Sequence, residues 1–242
     1  MSASLFLVEA LPGPGAYRLD GPEGRHAADV QRLRPGEALL LSDGRGGIAE
    51  AVVVAAGKGT LDVRVEHVRA EPAPEPRLVV VQGLAKGERG ELAVQAMTEV
   101  GVDGIVPWSA ARSVVRWRGE RGDRAVERWR ATVREAAKQA RRAWLPPVSP
   151  AASTKEVADR LAEAAAALVL HEEADTPLST VDLPAHGDVV LVVGPEGGID
   201  PAELAVFTAA GARPVRLGPT VLRTSTAGAA ALAALSARLG RW

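Results

Sequence analysis

Three prolines alternate with acids and an alanine in the stretch EPAPEP, from Glu71 to Pro76. Proline fixes its own φ and drives the residue before it to extended backbone, so this stretch is a stiff linker rather than part of a helix or sheet interior. It divides a 242-residue chain into two parts with different rhythms. Before it, short apolar runs (Ala38–Leu41, Ile48–Val54, Leu61–Val65) sit between turn signals such as Asp43-Gly44, Gly46-Gly47 and Gly57-Lys58-Gly59. That spacing predicts a small β-barrel over residues 1–71. After it, strand-like and helix-like segments alternate. Strands are expected at Leu78–Gln82, Gly104–Trp108, Ala167–Leu170, Val189–Val193 and Pro214–Leu217. Helices are expected at Lys86–Val100, Asp123–Arg142, Thr154–Ala166, from Pro201, and over Thr224–Leu239. Such alternation predicts an α/β domain with a mostly parallel sheet over residues 72–242.

The sharpest local signal is LVVGPEGGIDPAEL, Leu191 to Leu204. A β-branched strand stops at a turn of three glycines and a proline, with Glu196 set among them. A marked helix start follows: Asp200 suits the N-cap, Pro201 suits the first helical position, and Glu203 completes a capping box. In open α/β sheets ligands settle at the carboxyl ends of strands, where glycine lets the backbone approach them. The spacing is neither G-x-G-x-x-G nor G-x4-G-K-[ST], which excludes a dinucleotide fingerprint and a P-loop. Without a lysine, and with an acid, the turn points to a nucleoside-like ligand that carries no phosphate. A tight turn that holds no ligand reads the same from glycines alone.

A second turn, LGPTVLRTSTAGAAAL from Leu217 to Leu232, again joins a strand to a helix through Gly-Pro. Two such turns at strand ends can wall one pocket. Small residues around Gly228 allow close helix packing, either within the core or against a second subunit. The near-neutral net charge of −1 hides a basic block. From Arg112 to Arg142 there are eleven Arg or Lys and four acids. A block of this kind suggests a polyanion such as nucleic acid. A solvated, salt-bridged helix in an arginine-rich chain gives the same pattern. The chain has no cysteine, which excludes disulfides, thiolate metal sites and a Cys nucleophile. Its four histidines are scattered, and no metal cluster is expected. The N-terminal stretch lacks a basic n-region, and no apolar run has membrane-spanning length. A cytoplasmic protein without a membrane partner is expected.

Taken in order, these motifs resemble a known family. GPEGG after a strand, followed by LGP-x-VLRT opening the last helix, resembles the SPOUT class of trefoil-knotted RNA methyltransferases. The likeness is to the bacterial family that methylates N3 of a uridine in 16S ribosomal RNA, ribosomal RNA small subunit methyltransferase E. His26 with Val30-Gln31-Arg32-Leu33-Arg34 is similar to that family's N-terminal element. Leu84–Trp117 is similar to its lysine turn, T-E-L-G and S-E-R-S-V segments, and Glu135-Ala136-Ala137 with Gln139 to its E-A-x-x-Q-x-x-R helix. Ser225 stands where the family reads glutamate.

The resemblance implies a SPOUT-type trefoil-knotted sheet preceded by a PUA-like β-barrel. It also implies S-adenosylmethionine as methyl donor, 16S ribosomal RNA or the small ribosomal subunit as partner, and a homodimer. Carried onto this sequence, it puts Leu170, Gly194, Pro195, Glu196, Gly197, Gly198, Ile199, Leu217, Gly218, Val221, Leu222 and Thr226 around the cofactor. His26, Arg32 and Arg34 are expected on RNA, and the basic block puts Arg112, Arg116, Arg128 and Arg142 on its phosphates. Arg223 is the candidate to meet negative charge developing on the base. Glu172, with Glu173 beside it, is the candidate proton acceptor, although both also read as solvent-exposed acids. His171 reads as a base or a core residue. A relative that methylates a ribose 2′-hydroxyl, or an RNA-binding dimer without turnover, are the competing functions.

Overall fold

A computed structural model describes residues 3–242, so Met1 and Ser2 of the expected first domain lie outside the described residues. The chain forms two compact units. The first comprises Met1–Ala73 together with Ala137–Leu145, and the second Pro74–Ala136 together with Pro146–Trp242. The division falls within the proline linker, but a nine-residue excursion from the far side returns to the first unit.

The first unit contains β1 (Ser4–Leu7), β2 (Gly15–Leu19), a short helix α1 (Gly21–Arg25), a π turn over His26–Val30, β3 (Ala38–Ser42), β4 (Gly47–Gly57) and β5 (Thr60–Ala70). The sheet order is β1-β3-β4-β5-β2, antiparallel except for the parallel β1–β3 pair. Side chains alternate across each strand, so Ala49, Ala51 and Val53 of β4 and Leu61, Val63 and Val65 of β5 bury one face against Phe6, Leu19, Leu39 and Leu41. β1 and β2 were not expected from the sequence. They are short, and the Pro-Gly run between them masks their pattern.

Residues 137–145 complete this unit. Ala143 packs with Leu5, Leu7 and Ile48. Gly46 N–H donates to Ala143 O, Leu145 N–H to Gly44 O, and the Trp144 indole to Glu71 O at 3.1 Å. Gly46 has φ +97°, and a Cβ there would lie 2.7 Å from the Trp144 ring, so only glycine fits. Lys138 pairs with Glu23 at 3.2 Å, both side chains largely buried.

The second unit contains β6 (Arg77–Gly83), α2 (Arg89–Glu99), β7 (Gly104–Trp108), α3 (Gly119–Gln139, whose last turn enters the first unit), α4 (Thr154–Glu163), β8 (Ala166–Leu170), a 3-10 turn at Leu178–Thr180, β9 (Asp188–Val193), α5 (Pro201–Ala209), β10 (Arg213–Val215) and α6 (Thr224–Arg238). All five strands are parallel, in the order β10-β8-β9-β6-β7. The central strands β6 and β9 are buried on both faces, which explains their unbroken valine runs. On one face Val79, Val81, Val190 and Val192 pack with Trp108, Val157, Leu161 and Phe207. On the other, α6 lies against α2, β6 and β9 rather than beside β10. The chain therefore recrosses the sheet after β10, a return that the expected knot requires.

Helix bounds shift at particular backbone features. α2 starts at Arg89 rather than Lys86 because Gly87, at φ +66°, breaks the chain into a turn. α3 ends at Gln139 rather than Arg142, because Arg141 turns left-handed at φ 54° and Arg142 N–H closes back onto Ala137 O. Among the described residues no helix is long and apolar enough to cross a membrane.

Candidate functional site

The carboxyl ends of β6, β8, β9 and β10 carry the turns singled out by sequence, and hydrogen bonds tie several of them together. The glycine turn after β9 is held from three sides. A Cβ on Gly83, at the end of β6, would lie 2.6 Å from Pro195 N, so this turn rests directly on β6. Glu196 accepts from Lys86 N–H at 3.0 Å and from the Arg89 guanidinium at 3.1 Å. Thr224, the first residue of α6, donates its hydroxyl to Gly194 O at 2.7 Å.

Behind Thr224 stands Gln82, fully buried at the end of β6. Its amide donates to Thr224 Oγ1 at 2.9 Å. The relay Gln82–Thr224–Gly194 therefore fixes the start of α6 against the glycine turn. Sequence reading passed over Gln82. The available signal was a lone polar residue closing the apolar strand LVVVQ, since a buried amide requires a partner.

Each glycine of the turn has its own reason. At Gly194 a Cβ would lie 2.9 Å from Ile199 Cγ1. Gly198 is the one with left-handed backbone, φ +73°. Gly197 has no positive φ, and a Cβ there would lie 3.1 Å from both Arg112 Cβ and Arg112 O. The loop bearing Arg112 takes up that space.

Glu196 does not stand in the turn as a bare repelling charge. Burial pushes its carboxyl up, but hydrogen bonds from its own N–H, from Lys86 and from Arg89, with the Arg89 charge, outweigh burial and hold it below the usual carboxylate range. The capping box of α5 forms as expected, with Asp200 accepting from Ala202 N–H and Glu203 approaching Asp200 N–H. Glu203 also accepts from Ala111 N–H at 2.8 Å and Thr154 Oγ1 at 2.7 Å, so one acid anchors the loop after β7 and the start of α4.

The second turn is different. Val221 is 78% exposed and Leu222 39%, and a Cβ on Gly218 would meet nothing within 4 Å. Among the described residues, the N–H groups of Leu217, Gly218, Val221 and Leu222 have no acceptor. An open apolar wall with unpaired backbone donors fits an adenosyl group, whose ring faces need apolar cover and whose ring nitrogens accept hydrogen bonds. Arg223 is the exposed N-cap residue of α6, and its side chain makes no capping bond. Thr226, also exposed, returns its hydroxyl to Arg223 O at 3.1 Å.

The loop after β8 lies at the same sheet end. Leu170 is half-buried, His171 N–H bonds to Val215 O, and Arg216 exchanges backbone bonds with Thr176 and Leu178. Glu172 and Glu173 are exposed. His171 is half-buried rather than a core residue, with Nδ1 3.3 Å from Glu173 N. Gly228 faces inward. A Cβ there would lie 2.6 Å from Met97 Sδ, so this glycine serves packing of α6 on α2 within the chain.

The predicted RNA residues divide between the units. In the second, Arg112 lies 3.4 Å from Asp200 and Arg128 3.6 Å from Glu91, while Arg116 donates to the carbonyls of Ala110 and Ala111. In the first, Arg32 and Arg34 are exposed, His26 is half-buried edge-on to Phe6, and Arg142 is half-buried.

Known proteins share this organisation. A family model described as an RNA methyltransferase domain matches residues 72–236, and one described as an RNA methyltransferase PUA domain matches residues 19–66. Ribosomal RNA small subunit methyltransferase E of Mycobacterium bovis, like that of Mycobacterium tuberculosis, is 51% identical over 247 residues, covering 100% of this chain and 94% of the relative. The structure of ribosomal RNA small subunit methyltransferase E from Neisseria gonorrhoeae bound to S-adenosyl methionine superimposes with a TM-score of 0.88 at 28% identity, covering 98% of both chains. A methyltransferase from Legionella pneumophila, solved with bound S-adenosyl methionine, gives 0.85 at 28% identity, also over 98% of both chains.

Proposed function

We propose that this chain, which belongs to the ribosomal RNA small subunit methyltransferase E family, transfers a methyl group from S-adenosylmethionine to N3 of a uridine in 16S ribosomal RNA. The observation that carries the reading is the pairing of a tied glycine turn with an open apolar turn at one end of a parallel sheet, joined through Thr224. Gly194–Ile199 and Leu217–Leu222, with Leu170 and Thr226, are the residues that would hold the cofactor. Bound there, it supplies a methyl group on a sulfonium, already activated for displacement.

The protein then has to align the base and manage charge. N3 must lose its proton before it attacks, and negative charge spreads onto the two flanking carbonyl oxygens. Arg223 presents its guanidinium beside the open turn to meet that charge. Glu172 is the carboxylate at the same sheet end for the proton. The first unit, over residues 1–71 in the main, serves as the RNA-binding PUA-like domain, and the arginines named above contact phosphates. Half-buried Ala227, Ala230 and Ala233 on α6 leave a small-residue face for a second subunit. Action in the cytoplasm, where the substrate resides, belongs to the same proposal.

Nucleoside mass spectrometry of 16S ribosomal RNA treated with the protein and S-adenosylmethionine tests the reading. N3-methyluridine is the expected product. A methyl on a ribose 2′-oxygen, or RNA binding without any methylated product, would replace it with one of the two competing functions. Arg223→Ala should lower turnover about 100-fold while cofactor affinity by calorimetry stays within about twofold, as for loss of a single charge-stabilising donor.

A further inference from the structure

Among the described residues, two that are not glycine have left-handed backbone, and both are arginines of the first unit: Arg32 at φ 56° and Arg141 at φ 54°. Each sits just past a helical segment. Arg32 follows the π turn, where Gln31 N–H bonds to His26 O and Leu33 N–H to Ala27 O. Arg141 follows α3, where Arg141 N–H bonds to Lys138 O and Arg142 N–H to Ala137 O. Glycine is the residue that local energetics favour at this position, because a Cβ is crowded there.

Neither arginine has a local use that would offset that preference. Both are exposed, and among the described residues neither guanidinium pairs with a carboxylate or donates a hydrogen bond. Other arginines of the same unit do pair, Arg18 with Asp62, Arg45 with Asp43 and Arg64 with Glu66. The segments carrying the two are brought together by the buried Lys138–Glu23 ion pair at 3.2 Å, across 115 positions of sequence. Lys138 lies three residues before Arg141, and Glu23 lies on the helix that leads into the π turn.

We propose that Arg32 and Arg141 together form a phosphate-binding face of the first unit, assembled from two distant segments and directed at the ribosomal RNA backbone. A left-handed residue whose guanidinium has no partner among the described residues is kept for something outside the chain, and such a guanidinium suits phosphate oxygens in a two-pronged contact. Such a face positions RNA by shape and carries no base preference. The inference rests on the RNA reading above, and it adds Arg141 to the residues that sequence pointed to.

The test makes stability and binding move in opposite directions. Arg32→Gly, Arg141→Gly and the double variant relieve the backbone, so each midpoint of thermal unfolding should rise by about 2–4 °C. RNA affinity should fall, and the slope of log affinity against log salt should flatten by about 0.7–0.9 for each arginine removed, for 16S ribosomal RNA and an unrelated structured RNA alike. Arg32→Asn and Arg141→Asn, which also tolerate this backbone, should give the same slopes. Arg64→Ala removes a paired charge and should leave the slope unchanged. An unchanged slope in the double variant overturns the proposal, as does equal flattening in Arg64→Ala, or a fall in the unfolding midpoint alongside weaker binding. If the wild type methylates no uridine yet the variants lose slope, the face stands and the uridine assignment fails. If the wild type methylates and the variants bind as it does, the assignment stands and the face fails.

Discussion

The two turns that wall the candidate site are built on opposite principles. Gly194–Ile199 is tied: β6 backs it at Gly83, Glu196 binds Lys86 and Arg89, Thr224 bonds Gly194, and Ile199 is buried. Leu217–Arg223 is open, with exposed aliphatic side chains and, among the described residues, main-chain donors left unpaired. Both read alike in sequence, as Gly-Pro turns at strand ends. The difference teaches that similar turn chemistry can serve a rigid wall in one place and an adaptable one in another. In the proposed site the rigid wall is the part that would fix where the methyl group sits. An adaptable wall can order around its ligand, at some entropic cost to affinity.

The largest effect should come from crossing that difference with one methyl group. Gly83→Ala puts a Cβ 2.6 Å from Pro195 N and 2.9 Å from Gly194 C, both backbone atoms that cannot swing aside. The tied turn should be displaced, with a stability loss of about 1–3 kcal/mol and cofactor binding below detection. Gly218→Ala meets nothing within 4 Å, so stability should stay within about 0.5 kcal/mol of wild type. Any affinity lost there reports ligand contact alone. Thermal unfolding and calorimetry on the pair measure the contrast, and equal behaviour of the two variants would erase it.

Thr224→Val should come next. It keeps the shape of the side chain but leaves the Gln82 amide and Gly194 O without their shared hydroxyl. Unpaired buried polar groups cost about 1–3 kcal/mol. The start of α6, with Arg223, would then be free to shift against the glycine turn. Both cofactor affinity and turnover should fall, and Thr224→Ser should restore them. If Thr224→Ser behaves like Thr224→Val, the hydroxyl relay does not set the geometry.

Local signals explain what was legible in the sequence. The Asp200–Glu203 capping box and the valine strands each depend on neighbours a few residues away, and each is found in place. What could not be read depends on partners far along the chain. Gln82 and Thr224 meet across 142 positions, and nothing in the periodicity of either segment announces the other. Residues 137–145 continue a helix of the second unit yet complete the core of the first, which no composition shift marks. Arg112, 85 positions away, lies close against Gly197, and no local pattern announces that neighbour. A glycine pattern shows that the backbone is approached closely, but it does not say by what.

The smallest effect should come from Glu196, and it tests whether the tied turn is held partly by charge. Its folded-state carboxyl lies below the ordinary value, because hydrogen bonds from its own N–H, from Lys86 and from Arg89, with the Arg89 charge, outweigh burial. A carboxylate with a depressed pKa contributes stability that is fully present above its unfolded pKa and is lost as pH falls through the folded one. The contribution should therefore be complete at neutral pH and should fade below the ordinary carboxylate value of 4.5. Glu196→Gln keeps an acceptor for Lys86 N–H but removes the charge facing Arg89. The variant should be slightly less stable than wild type at pH 7, and the gap should close as pH falls toward 3. Other acid-labile pairs, such as Arg18–Asp62, remain in both proteins and cancel in the difference. A gap that stays constant from pH 7 to pH 3 would mean that packing, rather than the Arg89 charge, ties the turn to its neighbours.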